Sequence, residues 1–137
     1  MMWSPVQWLH SQARLDETVS WLREHDYHVV SVDASWLITS HMFRDLAAGF
    51  GYACHDQWQC LSEGMAEAVS EALLHSAGFV LVLNDFDLFV GQHRDDAETL
   101  LGLVAHQSWQ FALLGQRVLC LAHTEDQNLE IRSIRMW

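Results

Sequence analysis

The chain is poor in several things. It has only 7 basic residues against 18 acidic ones, a single proline, three cysteines, and no apolar run longer than a few residues. The resulting formal charge of −11 opposes direct binding to nucleic-acid phosphates and to anionic lipid headgroups, and makes a basic partner the natural complement. The longest apolar stretch, Phe79 to Leu83, is far too short to cross a bilayer, and Met1-Met-Trp-Ser-Pro5 lacks the basic start and apolar core of a signal peptide. Cytoplasmic residence is therefore expected. Three cysteines, Cys54, Cys60 and Cys120, cannot all pair within one chain, so reduced thiols are expected, with a Cys54–Cys60 bridge as the alternative. No glycine-rich phosphate loop is present, and no repeat or low-complexity linker divides the 137 residues, a length that can bury an ordinary core without metals or staples.

Against those absences stands an ordered set of short apolar runs: Val29-Val-Ser-Val32, Phe79-Val-Leu-Val-Leu83 and Arg117-Val-Leu-Cys-Leu121. Each is too short for a helical core segment, and the stretches between carry helical spacing, so they predict three parallel strands joined by helical crossovers, an α/β domain. Leu15, Val19 and Leu22 predict a helix over residues 14–25, with Asp16 and Glu17 near its start, where the helix dipole favours acids. Val6-Gln-Trp-Leu9 before it reads either as a further short strand or as a packing arm.

After Asp33, Ser40 caps a predicted helix with Phe43, Leu46, Ala47 and Phe50 on one face. Trp58, Leu61, Met65, Val69, Ala72 and Leu73 form the stripe of another, bent or interrupted at Gly64 and stopped by Gly78. A last helix begins at Asp95 or Asp96, with Glu98 closing a capping box, and shows Ala97, Leu100, Leu101, Val104, Ser108 and Phe111 on one side before Gly115 ends it. The tail from Asn128 to Trp137 reads as an edge strand or a mobile end.

The segments His28-Val-Val-Ser-Val-Asp33, Met42 to Gly51, Trp58-Gln-Cys-Leu61, Val80-Leu-Val-Leu83 before Asn84, and Leu113 to Leu121 resemble, in order and spacing, the barstar family, intracellular inhibitors of barnase-type bacterial ribonucleases. The resemblance spans about residues 28 to 123. It implies a barstar-like domain over 28–126 with a small three-stranded parallel sheet, an N-terminal extension over 1–27 packing on it, and a tail over 127–137. The segment from Glu63 to Ser76 is then an insertion that lengthens the helix after Trp58.

Members of that family insert the short helix after the first crossover, with the turn before it, into the nuclease active site, where acidic side chains stand in for RNA phosphates. Trp58, Cys60 and Leu61 match the family's W-D-C-L helix, but its central Asp is Gln59 here. Phe50-Gly51 matches the aromatic-glycine turn, His55 falls at a second interface Asp with Asp56 beside it, and the expected Glu after the second strand is Asn84, followed by Asp85. These departures predict weak binding to barnase itself and a different cognate nuclease or toxin domain, which is the pattern of a bacterial immunity protein. The alternative implied by the same residues is a barstar-fold adaptor with no nuclease target.

The partner-binding residues expected on this reading are His55, Asp56, Trp58, Gln59, Asn84, Asp85, Asp87 and Trp36. A Trp at helical spacing with Leu61 and Met65, as Trp58 is, is more often core than interface, while the family resemblance implies both roles for it; Trp36, in the loop after the first strand, is the best candidate for exposed contact area among the seven tryptophans. Independently of family, acids follow each strand: Asp33, then Asp85 and Asp87, then Glu125 and Asp126. Binding sites of open parallel sheets lie outside the carboxyl ends of the strands, so these acids predict a negative rim there.

Catalytic readings are weaker. Asp85 and Asp87 have the D-x-D spacing of haloacid-dehalogenase phosphatases, but Leu88-Phe-Val90 lacks the small or hydroxyl residue expected next, and too little chain remains for that site. His93, Asp95 and Asp96, or Cys54, His55 and Cys60, offer metal-ligating atoms without a known ligand spacing. The expectation is a non-enzymatic inhibitor without metal or cofactor, monomeric or dimeric, that binds a basic nuclease or toxin protein.

Overall fold

The computed structural model describes residues 6–34 and 58–124. In chain order the elements are β1 (Val6–Leu9), α1 (Gln12–Glu24), β2 (Tyr27–Asp33), α2 (Trp58–Leu73), β3 (Gly78–Asn84), α3 (Phe86–Gln92), α4 (Arg94–Ala112) and β4 (Val118–His123). The four strands form one sheet in the order β1-β4-β3-β2, and every pair is parallel. The sheet therefore has four strands rather than the three expected. Val6-Gln-Trp-Leu9 is a strand, not an arm, because its backbone pairs in register with Cys120 to His123 and satisfies an edge of β4 that would otherwise be left open.

The strand order explains the layers. From β1 the chain crosses the whole sheet to β2 and then returns strand by strand to β4. Parallel crossovers are right-handed, so reversing the direction of travel puts the helices on opposite faces. Accordingly Leu15 and Leu22 of α1 pack on Val80, Val82 and Leu121, whereas α2, α3 and α4 pack on Phe79, Leu81, Leu83, Val118, Cys120 and Ala122. Being covered on both faces, β3 is buried from Gly78 through Leu83, which is why Phe79 to Leu83 reads as an unbroken apolar run.

Several local expectations are revised. Helix α1 starts at Gln12, capped by Ser11, whose side chain accepts from the Arg14 backbone N–H at 3.4 Å. Asp16 and Glu17 thus lie beyond its first turn; Asp16 instead accepts from Gln12 Nε2 at 2.9 Å. Gly64 is buried within an uninterrupted α2. Gly78 is not a helix stop but the first residue of β3, where a Cβ would run into the Tyr27 ring.

Helix α4 begins at Arg94 after His93, and no side chain caps it; Glu98 pairs with Arg94 at 3.4 Å instead of closing a capping box. Gly115, at φ +76°, occupies the left-handed position after α4 as a terminating glycine should.

Two buried polar side chains tie α4 down. Gln107 Nε2 donates to the Ser62 carbonyl at 2.6 Å, joining α4 to α2, and Ser108 Oγ donates to the Val118 carbonyl, joining α4 to β4. Cys120 is free and buried, whereas Cys60 is disulfide-bonded, which corrects the expectation of uniformly reduced thiols. Cys54, the expected alternative partner of Cys60, lies outside the described residues.

Candidate functional site

Because all four strands run the same way, their carboxyl ends share one rim, and register places its members: Asp33 is the partner of Asn84, and Leu9 is the partner of His123. The turns beyond these residues carry the polar groups. Asp33 is exposed at the end of β2. Asn84 is half-buried at the end of β3 and donates from Nδ2 to Ser31 Oγ at 2.9 Å.

Asp85 makes the sharp junction between β3 and α3. Its backbone is left-handed, with φ 53° and ψ 44°, a conformation that aspartate tolerates better than most residues but that still carries a cost. The turn aims the carboxylate along the rim toward β4, where Oδ1 lies 3.5 Å from His123 Nδ1. The Asp85 side chain is half exposed and the His123 ring is almost wholly buried. At this separation the contact is electrostatic only, and Nδ1 of His123 has no hydrogen-bond partner among the described residues. Asp87 stands half-buried in the first turn of α3, where the helix dipole favours it.

Beyond β4, the β1 end closes the rim. The Thr124 N–H donates to the Leu9 carbonyl at 3.1 Å, and His10 Nδ1 lies 3.0 Å from the Thr124 carbonyl. Since a carbonyl only accepts, His10 carries its proton on Nδ1 there, leaving Nε2 as the remaining polar atom of an exposed ring.

Trp58 opens α2, half-buried and packed against the larger core cluster, so it is in part a core residue. Gln59 beside it is exposed and donates to Glu63 at 3.2 Å across one helical turn. Trp58 therefore belongs to the α2 face of the sheet, whereas Asn84 belongs to the α1 face, lining a groove with Asp16 and Arg23. These two parts of the expected contact set therefore stand on opposite faces of the sheet. Trp36, His55 and Asp56, with Glu125, Asp126 and the 128–137 tail, lie outside the described residues.

His123 and His10 were not singled out from the sequence. The available signal was a histidine closing an otherwise apolar strand, Val118 to Ala122, at a position the strand order makes part of the rim. Among the described residues no group of three or more His, Cys, Asp or Glu side chains is placed to hold a metal ion, and this covers His93, Asp95 and Asp96. No described helix is long and apolar enough to cross a membrane.

Fold and rim together define an α/β domain with an all-parallel sheet and exposed acids along its carboxyl edge. Comparison with known proteins finds no family model that matches the chain and no similar curated protein.

Proposed function

We propose that this chain is a barstar-like inhibitor, an immunity protein that binds a basic nuclease or toxin domain and occludes its active site. The observation that carries the reading is the rim. Asp33, Asp85 and Asp87 come from two strand ends on one edge of a molecule of charge −11, and Asp33 and Asp85 are exposed. Such an edge attracts and orients a basic cleft, and like-signed nucleic acid is repelled from it.

The element order also supports it. β2, β3 and β4 stand side by side, and the helix that opens with Trp58-Gln-Cys-Leu61 lies in the crossover between the first two. On this reading Trp58 and Gln59 supply the helix side of the contact and Asp85 the strand side. Inhibition is steric and electrostatic, with no bond made or broken by this chain.

The test is recovery of partners from lysate of the native source on tagged protein, in low and high salt, followed by RNA hydrolysis assays on what is recovered. A basic nuclease that binds in a salt-sensitive manner and is silenced by stoichiometric protein supports the reading. Partners that lack a basic cleft, or a recovered nuclease that remains active when bound, contradict it.

A further inference from the structure

Histidine is the most abundant basic residue of this chain: nine histidines stand against seven arginines, with no lysine. Proton uptake by all nine takes the formal charge from −11 to −2, so the negative field of the molecule varies with pH through the range in which histidine titrates. The other histidines among the described residues are exposed or half-buried. His123 alone is buried, at the carboxyl end of β4.

Strand alternation puts the His123 ring on the α1 face of the sheet, two residues beyond Leu121, which packs there. Its Nδ1 has no hydrogen-bond partner among the described residues, and Asp85 supplies the nearest carboxylate of those residues, with Oδ1 at 3.5 Å. The charged and titratable groups of the other elements around β4 lie elsewhere. β1 carries none, and His10 beyond it directs Nδ1 at the Thr124 carbonyl. α1 brings Arg14, Asp16 and Glu17 to this end of the sheet, all three exposed, with Asp16 accepting from Gln12. α3 adds Asp87, half-buried in its first turn. α4, with Arg94, Asp95, Asp96, Glu98 and His106, packs on the opposite face, that of Cys120 and Ala122.

We propose that Asp85 and His123 form a proton-operated switch of the carboxyl rim. With His123 neutral, the Asp85 carboxylate is half exposed and open to a basic partner. A proton on Nδ1 turns the 3.5 Å contact into a charge-assisted hydrogen bond, which closes to about 2.7–2.9 Å and draws the carboxylate inward. The left-handed junction fixes the backbone at Asp85, so the side chain alone moves. Acidification thus withdraws one specific acid from the rim, on top of the general loss of negative field, and a basic partner gripped at neutral pH is released in acid. The switch stands on the Asp85 and His123 geometry and does not depend on the partner being a nuclease.

The test compares the full chain with Asp85→Asn, a change of similar shape at a half-exposed side chain, by NMR at pH 8 and pH 5.5. At pH 5.5 the parent should show a downfield His123 ring N–H resonance that exchanges slowly with water, and Asp85→Asn should lack it. The Asp85 carboxyl carbon should shift in the same step as the His123 ring carbons. A hexa-arginine peptide then probes rim charge at constant ionic strength. Acidification should weaken its binding at least about threefold more for the parent than for Asp85→Asn, which has no charge to withdraw. A His123 ring still neutral at pH 5.5, or an Asp85 carboxyl carbon that ignores the proton on His123, would overturn the proposal. So would equal weakening of peptide binding in the two proteins, which would assign the effect to overall charge alone.

Discussion

Replacing Asp85 by glycine, asparagine and alanine separates the backbone role of this residue from its charge. At φ 53° a Cβ-bearing residue is strained by roughly 1–2 kcal/mol, and aspartate offsets part of that through its tolerance of the left-handed region. Its contact with His123, at 3.5 Å and half exposed on the aspartate side, is worth under about 1 kcal/mol after solvent screening.

Glycine removes the strain but forfeits the contact and costs roughly 0.5–1 kcal/mol in unfolded-state entropy, so Asp85→Gly should lie within about 1 kcal/mol of the parent. Asp85→Ala keeps the strain, loses the contact and loses aspartate's tolerance, and should fall about 1 kcal/mol below the glycine variant. In a domain of this size that gap is roughly 3–5 °C of melting temperature. Asp85→Asn should lie closest to the parent. All three remove the same rim charge, so their losses of affinity for a basic partner should be alike although their stabilities differ. Thermal or urea melts decide the first part. If glycine proves as damaging as alanine, the left-handed junction is not what distinguishes this position.

Further outcomes follow from burial and packing. Desolvation pushes the Cys120 thiol up to about 12; above pH 9 the unfolded chain loses this proton while the folded one keeps it. The contribution is thus intact below pH 9 and decays by about 1.4 kcal/mol per pH unit above it, a slope that urea melts at pH 8 and 10 should show reduced in Cys120→Ala. Thiol reagents should label Cys120 only on unfolding. Gly78→Ala forces a Cβ into the Tyr27 ring and should cost roughly 1–3 kcal/mol. Adding Tyr27→Ala should recover part of that loss, giving a non-additive double-mutant cycle. Leu81→Ala, wholly buried in the central strand, should cost roughly 2–5 kcal/mol, whereas Leu74→Ala, 77% exposed, should stay within about 0.5 kcal/mol.

The parts of the fold legible in the sequence were those with a strong period. Phe79 to Leu83 is buried on both faces and so appears as a solid apolar run, and the stripe from Trp58 to Leu73 follows one helical turn after another. Val6 to Leu9 was ambiguous because four residues hold only two alternations, and its strand character comes from a partner more than a hundred residues away. Helix α3 was missed because seven residues are too few to establish a helical period, and its start is set by the left-handed Asp85 rather than by a capping side chain. Asp33, Asp85 and Asp87 were legible one by one, since each stands at or just beyond a strand end, whereas Glu125 and Asp126 lie outside the described residues. What no local pattern could reveal was that the junction turns Asp85 onto His123, or that Asn84 and Trp58 fall on opposite faces of the sheet. Those relations depend on strand order and on where the crossovers lie.

Docking at the carboxyl rim is tested most directly by charge reversals at the two ends of the sheet, compared in binding to the recovered basic partner. Asp33→Lys and Asp85→Lys alter the carboxyl rim, while Glu24→Lys, exposed at the far end of α1, makes the same change in net charge at the amino end. Each rim reversal should slow association and weaken the complex by at least about tenfold, with Glu24→Lys near the parent value. Equal effects at all three positions would mean that net charge alone governs binding, and would contradict a docking site at the rim.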